Sequence, residues 1–142
     1  PTEWKKDKEF LKRCLITVEE KILQQPSAAR QYMEFYFKES FNVSMDLVVN
    51  PKMKVDREIA KKALHEVIST LENFDQWSDQ EVLKACLTEV VVKLGLKNGQ
   101  VLWPTRVALT GEQFSPGVFE ILWALDKEKS LLRLKKAETA LS

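Results

Sequence analysis

Apolar side chains recur at intervals of three and four residues along most of this chain, which is the period of one face of an α-helix. The first stripe predicts a helix over about residues 7–24. Its members are Phe10, Leu11, Cys14, Leu15, Val18 and Ile22. Pro26 and Ser27 end this pattern, and Ser27 is expected to cap a short aromatic helix over residues 28–38. We interpret the four rings of that second helix as core packing rather than as a stacking platform.

Two further stripes follow a segment that has no helical period. Residues 42–54 contain the turn signal Asn50-Pro51, so this segment is expected to be a loop with a short extended piece at residues 47–49. Asp56 is a suitable N-cap for a helix that ends near Phe74. Ser78 and Glu81 have the spacing of a capping box, and they predict the start of a helix that Gly95 ends.

Residues 97–120, KNGQVLWPTRVALTGEQFSPGVFE, differ from their neighbours because they hold three of the four glycines and two of the five prolines. Proline is tolerated in the first turn of a helix, so Pro104 predicts a helix that begins near Trp103 and ends at Gly111. Ser115 as N-cap and Pro116 at the first helical position predict a largely apolar helix over residues 116–125.

The final helix is expected over about residues 127–141. It would bury Leu131, Leu134 and Leu141. The cations Lys129, Arg133, Lys135 and Lys136 would face solvent. The predicted fold class is therefore all-α, a bundle or cage of about seven helices. We place these helices in two small packed subdomains, residues 1–75 and 76–142.

Composition agrees with a globular domain and narrows its possible partners. The chain has 142 residues, of which 44% are hydrophobic and 30% charged, and its net charge is +1. A nucleic-acid-binding surface would therefore need its positive charge gathered on one face. No apolar run approaches the roughly 20 residues that span a bilayer, and no signal peptide is visible. A cytoplasmic monomer is expected, and Pro1 in place of an initial Met suggests a fragment of a longer protein.

The chemistry-bearing residues do not predict an enzyme. Cys14 and Cys86 lie on apolar helical faces, which favours two buried thiols in a reducing compartment over a disulfide. His65 has no ligand partner at metal-binding spacing, so a metal site is not expected. The chain contains no phosphate-binding or nucleophile motif. The residues alone therefore predict an all-helical binding module without catalytic residues or a cofactor.

The central stretch and its flanks resemble the C-terminal signature of bacterial-type glutamyl-tRNA synthetases. The matching pieces are residues 94–97 (LGLK), 99–101 (GQV), 104 (P), 106–111 (RVALTG), 115–120 (SPGVFE), 125–128 (LDKE) and 130–131 (SL). This resemblance implies a helical cage of two small domains that holds the anticodon of tRNA-Glu. It also implies that ATP, magnesium and the HIGH and KMSKS-like motifs belong to a catalytic domain absent from this chain.

The resemblance also assigns the candidate site residues. The anticodon-reading arginine of the family falls on Arg106, the polar residue at the next helix start on Ser115, and the apolar residue three positions later on Val118. Pro116 would present apolar surface to a base. Lys21 is the nearest match to an arginine that reads the wobble base, but lysine lacks the planar pair of donors that arginine has.

The candidate phosphate contacts are Lys97, Lys127 and Lys129. Such contacts would add salt-dependent affinity that does not depend on the RNA sequence.

Other interpretations of these residues remain open at this point. Arg106 would otherwise form a surface ion pair with Glu112 or Glu120, and Trp103 and Trp123 are more readily explained as core residues than as stacking platforms. The alternative function is a helical protein-interaction adaptor without RNA specificity. It would dock through the apolar helix at residues 118–125.

Overall fold

A computed structural model of the chain describes residues 2–39 and 41–142, with the backbone alone at positions 2–5, 28 and 29. Across these ranges the chain forms seven α-helices and no strand, which confirms the all-α class. The helices are α1 (Thr2–Gln24), α2 (Ala29–Phe37), α3 (Met45–Val48), α4 (Arg57–Glu72), α5 (Gln80–Leu94), α6 (Asn98–Thr110) and α7 (Val118–Leu141). Two 3-10 turns, Pro26–Ala28 and Pro51–Met53, connect some of them.

The predicted ends of α4 and α5 are mostly confirmed by their capping contacts. The Asp56 carboxylate accepts a hydrogen bond from the Ile59 amide at 2.8 Å and so caps α4. Gly95 adopts the left-handed conformation that ends α5. The prediction of Ser78 as a cap is wrong, because Asp79 occupies the N-cap position and accepts hydrogen bonds from two amides of the first turn.

The segment between α2 and α4 is more helical than its sequence indicated. Residues 47 and 48 belong to α3, so the short extended piece expected there is wrong. The turn at Asn50-Pro51 is confirmed as a 3-10 turn, in which the Asn50 side chain accepts a hydrogen bond from the Met53 amide at 3.2 Å. An isolated backbone pair between Asn50 and Val55 closes this turn.

The helix α6 begins at Asn98, earlier than Pro104 indicated. The Gln100 carboxamide holds this first turn, because its oxygen accepts from the Lys97 amide at 2.9 Å and its nitrogen donates to the Lys54 carbonyl at 3.0 Å. Pro104 lies inside the helix, where it lacks one internal hydrogen bond. The expected end at Gly111 is confirmed by its left-handed backbone.

The helix α7 contains the division that the sequence predicted between residues 125 and 127. Asp126 has φ 65° and ψ 178°, which is not helical, and it separates two helical halves. The first half begins at Val118 with Gly117 as N-cap, so the prediction of Ser115 as N-cap is wrong. The Glu120 carboxylate replaces a serine cap by accepting a hydrogen bond from the Gly117 amide at 3.0 Å.

The hydrophobic core lies where α4 packs against α5, α6 and α7, and α1 packs against α2 and α7. Both cysteines are free thiols within this core, as expected. Burial raises the pKa of Cys14 to about 12. Trp103 and Trp123 are half-buried and pack against the core. The division into subdomains at residue 75 stays a prediction.

The sequence predicts that Arg133 faces solvent, and this prediction is wrong. Its guanidinium donates to the carbonyl oxygens of Leu109 at 2.7 Å, Tyr36 at 3.1 Å and Lys38 at 2.9 Å. It therefore joins the C-terminal ends of α2 and α6 to α7. No helix within the described ranges is both long enough and apolar enough to cross a membrane.

Candidate functional site

Arg106 lies in the last turns of α6 and ties that helix to the turn that follows it. Its Nη1 donates to the Ser115 hydroxyl at 2.6 Å, and its Nη2 donates to the Gln113 carbonyl at 2.8 Å. The guanidinium carbon lies 5.0 Å from the centre of the Trp103 ring, within the range of a cation–π contact. The indole nitrogen of Trp103 donates to the Leu47 carbonyl at 3.0 Å, so the ring under Arg106 is itself held in place.

Part of the Arg106 guanidinium remains available to a bound molecule. Arg106 is half-buried, and desolvation lowers the pKa of its guanidinium. Among the described residues it forms no ion pair, so the alternative of a surface pair with Glu112 or Glu120 is not observed. Arginine has five N–H donors, and the two hydrogen bonds within the chain use two of them. The remaining donors suit an acceptor from a bound molecule, such as the edge of a base.

The turn after α6 is fixed by its own hydrogen bonds and by a glycine. The Thr110 hydroxyl donates to the Arg106 carbonyl at 2.9 Å and accepts from the Glu112 amide at 3.0 Å. Gly111 has φ 69°, and a Cβ there would lie 2.9 Å from the Phe41 ring. This position requires glycine both for its backbone conformation and for lack of space.

Ser115 acts as a partner of Arg106 and not as a helix cap. While its hydroxyl accepts from the guanidinium, it donates its own proton to the Pro116 carbonyl at 2.8 Å. Ser115 and Pro116 are both half-buried. The Ser-Pro corner, Ser115 and Pro116, therefore presents an oriented hydroxyl and a partly exposed proline ring.

A groove of about 310 Å³ brings Lys21 together with this corner, although the two are far apart in sequence. Its walls come from α1, from Tyr32 of α2 and from the start of α7. The lining residues are Thr17, Val18, Glu20, Lys21, Gln24, Tyr32, Ser115, Pro116 and Glu120. The Lys21 ammonium lies 5.3 Å from the centre of the Tyr32 ring. Glu20 and Glu120 give the groove mixed charge, so it is not a purely cationic surface.

The other predicted site residues lie elsewhere. Val118 is 6% exposed and belongs to the core, so it offers little surface of its own. Lys97 precedes α6 and is exposed. The Lys127 ammonium donates to the Glu72 carbonyl at 2.9 Å, and that of Lys129 lies 4.9 Å from the Phe10 ring centre. Lys127 and Lys129 line a second surface cavity, not the groove beside Ser115.

Several contacts at this site escaped the sequence analysis. Trp103 and Arg106 are three residues apart on one helix, a spacing that brings side chains together and signals their contact. The roles of Gln113 and Thr110 depend on the path of the turn, and no sequence pattern announces them. Phe114, between the two residues that bind the guanidinium, is 73% exposed.

Comparisons with known proteins identify the family of the chain. A family model described as an anticodon binding domain matches residues 2–138. The chain is 39% identical over 101 residues to a glutamate–tRNA ligase of Clostridium botulinum, which covers 70% of this chain and 21% of that protein. It is 40% identical over 101 residues to a glutamate–tRNA ligase of Clostridium tetani, covering 70% of this chain and 20% of the relative.

A solved structure has a similar fold. The crystal structure of a glutamate tRNA ligase from Elizabethkingia meningosepticum, in complex with its amino acid, superposes with a TM-score of 0.67 at 21% identity. The superposition covers 81% of this chain and 22% of that one. The chain thus spans about a fifth of the length of the curated relatives it matches, 21% for the first of them.

Proposed function

We propose a role in tRNA recognition for this chain, which belongs to the anticodon-binding domain family. Its function is to bind the anticodon stem-loop of tRNA-Glu as part of a class I glutamate–tRNA ligase. The relatives that share 39–40% identity support the choice of this ligase. In this proposal the ATP-dependent and magnesium-dependent attachment of glutamate belongs to the rest of a cytoplasmic, monomeric parent enzyme.

The observation that carries the proposal is the Arg106 guanidinium, held by Ser115 and Gln113 with donors left over. Anticodon bases are unpaired, so their hydrogen-bonding edges are accessible to a protein. A planar guanidinium suits two acceptors on one base edge. Because the chain already orients Arg106, little conformational entropy is lost when the base binds.

The groove beside Ser115 extends this proposal to a neighbouring base. Lys21 and Pro116 both line it. A lysine ammonium donates from a single point, so we expect Lys21 to discriminate bases less well than an arginine would. Lys97, Lys127 and Lys129 would contribute phosphate contacts outside this groove.

The alternative of a protein-interaction adaptor is disfavoured by the burial of its proposed docking face. Within residues 118–125, most apolar side chains lie in the core of the chain itself. The buried members are Val118, Ile121, Leu122, Ala124 and Leu125. A partner would have to unfold α7 to reach them.

A fluorescence titration tests the proposal. The chain is titrated with tRNA-Glu and with a transcript whose second and third anticodon bases are changed. We expect tighter binding of tRNA-Glu, and Arg106→Ala should remove about 1–3 kcal/mol of that discrimination, by analogy with a bidentate base contact.

Lys129→Ala is the control, because loss of a phosphate contact should weaken both RNAs alike. Equal binding of the two RNAs by the unchanged chain would contradict specific reading. If Arg106→Ala lowers the melting temperature and keeps the discrimination, Arg106 only holds the turn.

A further inference from the structure

Phe114 is a large apolar side chain that the fold leaves in solvent. Its side chain is 73% exposed, and among the described residues it makes no ring or cation contact. The other exposed phenylalanine, Phe37, differs because its ring packs edge-on against Phe10 with 5.6 Å between centroids. Phe114 therefore gives up a hydrophobic contribution to folding that aromatic side chains usually supply.

One guanidinium binds the residues on both sides of this ring. Arg106 bonds to the Gln113 carbonyl at 2.8 Å and to the Ser115 hydroxyl at 2.6 Å, the residues immediately before and after Phe114. The turn is fixed further by the hydroxyl of Thr110, which accepts from the Glu112 amide at 3.0 Å. An exposed ring is thus carried between the two residues that hold a guanidinium with unused donors, on a turn that several hydrogen bonds fix.

We propose that Phe114 is a stacking platform for an unpaired base that adjoins the base read by Arg106. This inference rests on the proposed function and adds a contact to the same site. A nucleobase has an apolar face and a polar edge, and this turn carries an exposed ring between the two residues that bind the Arg106 guanidinium. Stacking tolerates every base because each has a π-face. Phe114 therefore contributes affinity for any base, and Arg106 contributes discrimination between bases.

The test measures binding of an anticodon stem-loop of tRNA-Glu that carries 2-aminopurine in the loop, whose fluorescence is quenched by stacking. The variants are Phe114→Ala, Phe114→Leu and Phe114→Trp. Val92→Ala is the matched control, because Val92 is 75% exposed and belongs to α5 and not to this turn. Each variant is first melted, so that any loss of folding is recognised.

We expect Phe114→Ala to weaken binding by about 5- to 150-fold, the range for loss of one base–aromatic stack. Phe114→Leu, which keeps apolar bulk without a π-face, should weaken it nearly as much and lose the quenching. Phe114→Trp and Val92→Ala should bind like the unchanged chain. The discrimination between anticodons should be the same in every Phe114 variant that still binds.

Two other results would overturn the inference in different ways. If Phe114→Ala binds as tightly as the unchanged chain while Arg106→Ala loses discrimination, Phe114 does not stack and the proposed function stands. If the unchanged chain does not bind the stem-loop at all, the proposed function fails and the stacking role fails with it.

Discussion

Replacing Asp126 by glycine should make this protein more stable, because the backbone at Asp126 is strained. Its φ of 65° and ψ of 178° lie in a region that is essentially restricted to glycine. The residue separates the two halves of α7, so the strain occurs within a helix that packs against α1, α4, α5 and α6. Residues held in such a conformation cost about 1–3 kcal/mol.

Two smaller effects oppose the gain. The Asp126 carboxylate accepts a hydrogen bond from the Lys127 amide at 2.9 Å, and exchanging such a capping side chain for glycine costs a few tenths of a kcal/mol. Glycine also raises the entropy of the unfolded chain, at a cost of about 0.4–1 kcal/mol. The net stabilisation is then about 1 kcal/mol. For a chain of 142 residues this raises the melting temperature by about 3 °C.

The assay is thermal and urea unfolding of the unchanged chain, Asp126→Gly and Asp126→Ala. Alanine is the matched control, since it loses the capping carboxylate and keeps the Cβ that causes the strain. We expect Asp126→Ala to lose about 1 kcal/mol and Asp126→Gly to gain about as much. If both variants lose stability equally, Asp126 is not strained in the folded protein and the argument is refuted.

Three further predictions concern the contacts that hold the site and the core. Arg133→Ala should cost about 2–4 kcal/mol in urea unfolding, because it leaves three carbonyl oxygens without their charged donor; Arg133→Lys should recover part of this, and an unchanged midpoint for Arg133→Ala would contradict it. Gly111→Ala should lower the free energy of unfolding by about 1–3 kcal/mol, from its left-handed backbone and the Phe41 ring. Gly117→Ala is its control, since a Cβ there meets nothing closer than 3.7 Å, and equal losses would contradict the explanation. Burial raises the pKa of Cys14 to about 12, whereas an unfolded thiol ionises near about 8.5. Above that pH the unfolded chain binds fewer protons than the folded one, so stability should fall with rising pH, by up to about 1.4 kcal/mol per unit. Urea unfolding at pH 8 to 11 should show a shallower decline for Cys14→Ala, and parallel slopes would refute this.

The helical framework could be predicted from the sequence because it follows from periodic apolar stripes. The stripe of α4 and the left-handed glycines at the ends of α5 and α6 place their elements directly. The predicted first residues of the helices were less accurate than the predicted ends. The sequence predicts Ser78 as the N-cap of α5, whereas the structure has Asp79 there. Both residue types are good caps, and only the path of the chain decides between them.

The parts that sequence reasoning missed depend on contacts between distant residues. The early start of α6 depends on Gln100 reaching Lys54, and nothing near Pro104 indicates that bond. The charge of Arg133 predicts exposure to solvent, yet its guanidinium donates to the carbonyl oxygens of Leu109 in α6, of Tyr36 in α2 and of Lys38 directly after α2. At the site, the resemblance named Arg106 and Ser115, and the folded turn adds that they bind each other.

A double-mutant cycle between Arg106 and one anticodon base tests the central claim most directly. Binding is measured for the unchanged chain and Arg106→Ala, each with the tRNA-Glu stem-loop and with a stem-loop whose second anticodon base is changed. The cycle is repeated for the third base. The account predicts a coupling energy of about 1–3 kcal/mol for one of these bases. A coupling of zero for both, with Arg106→Ala still folded, would contradict it.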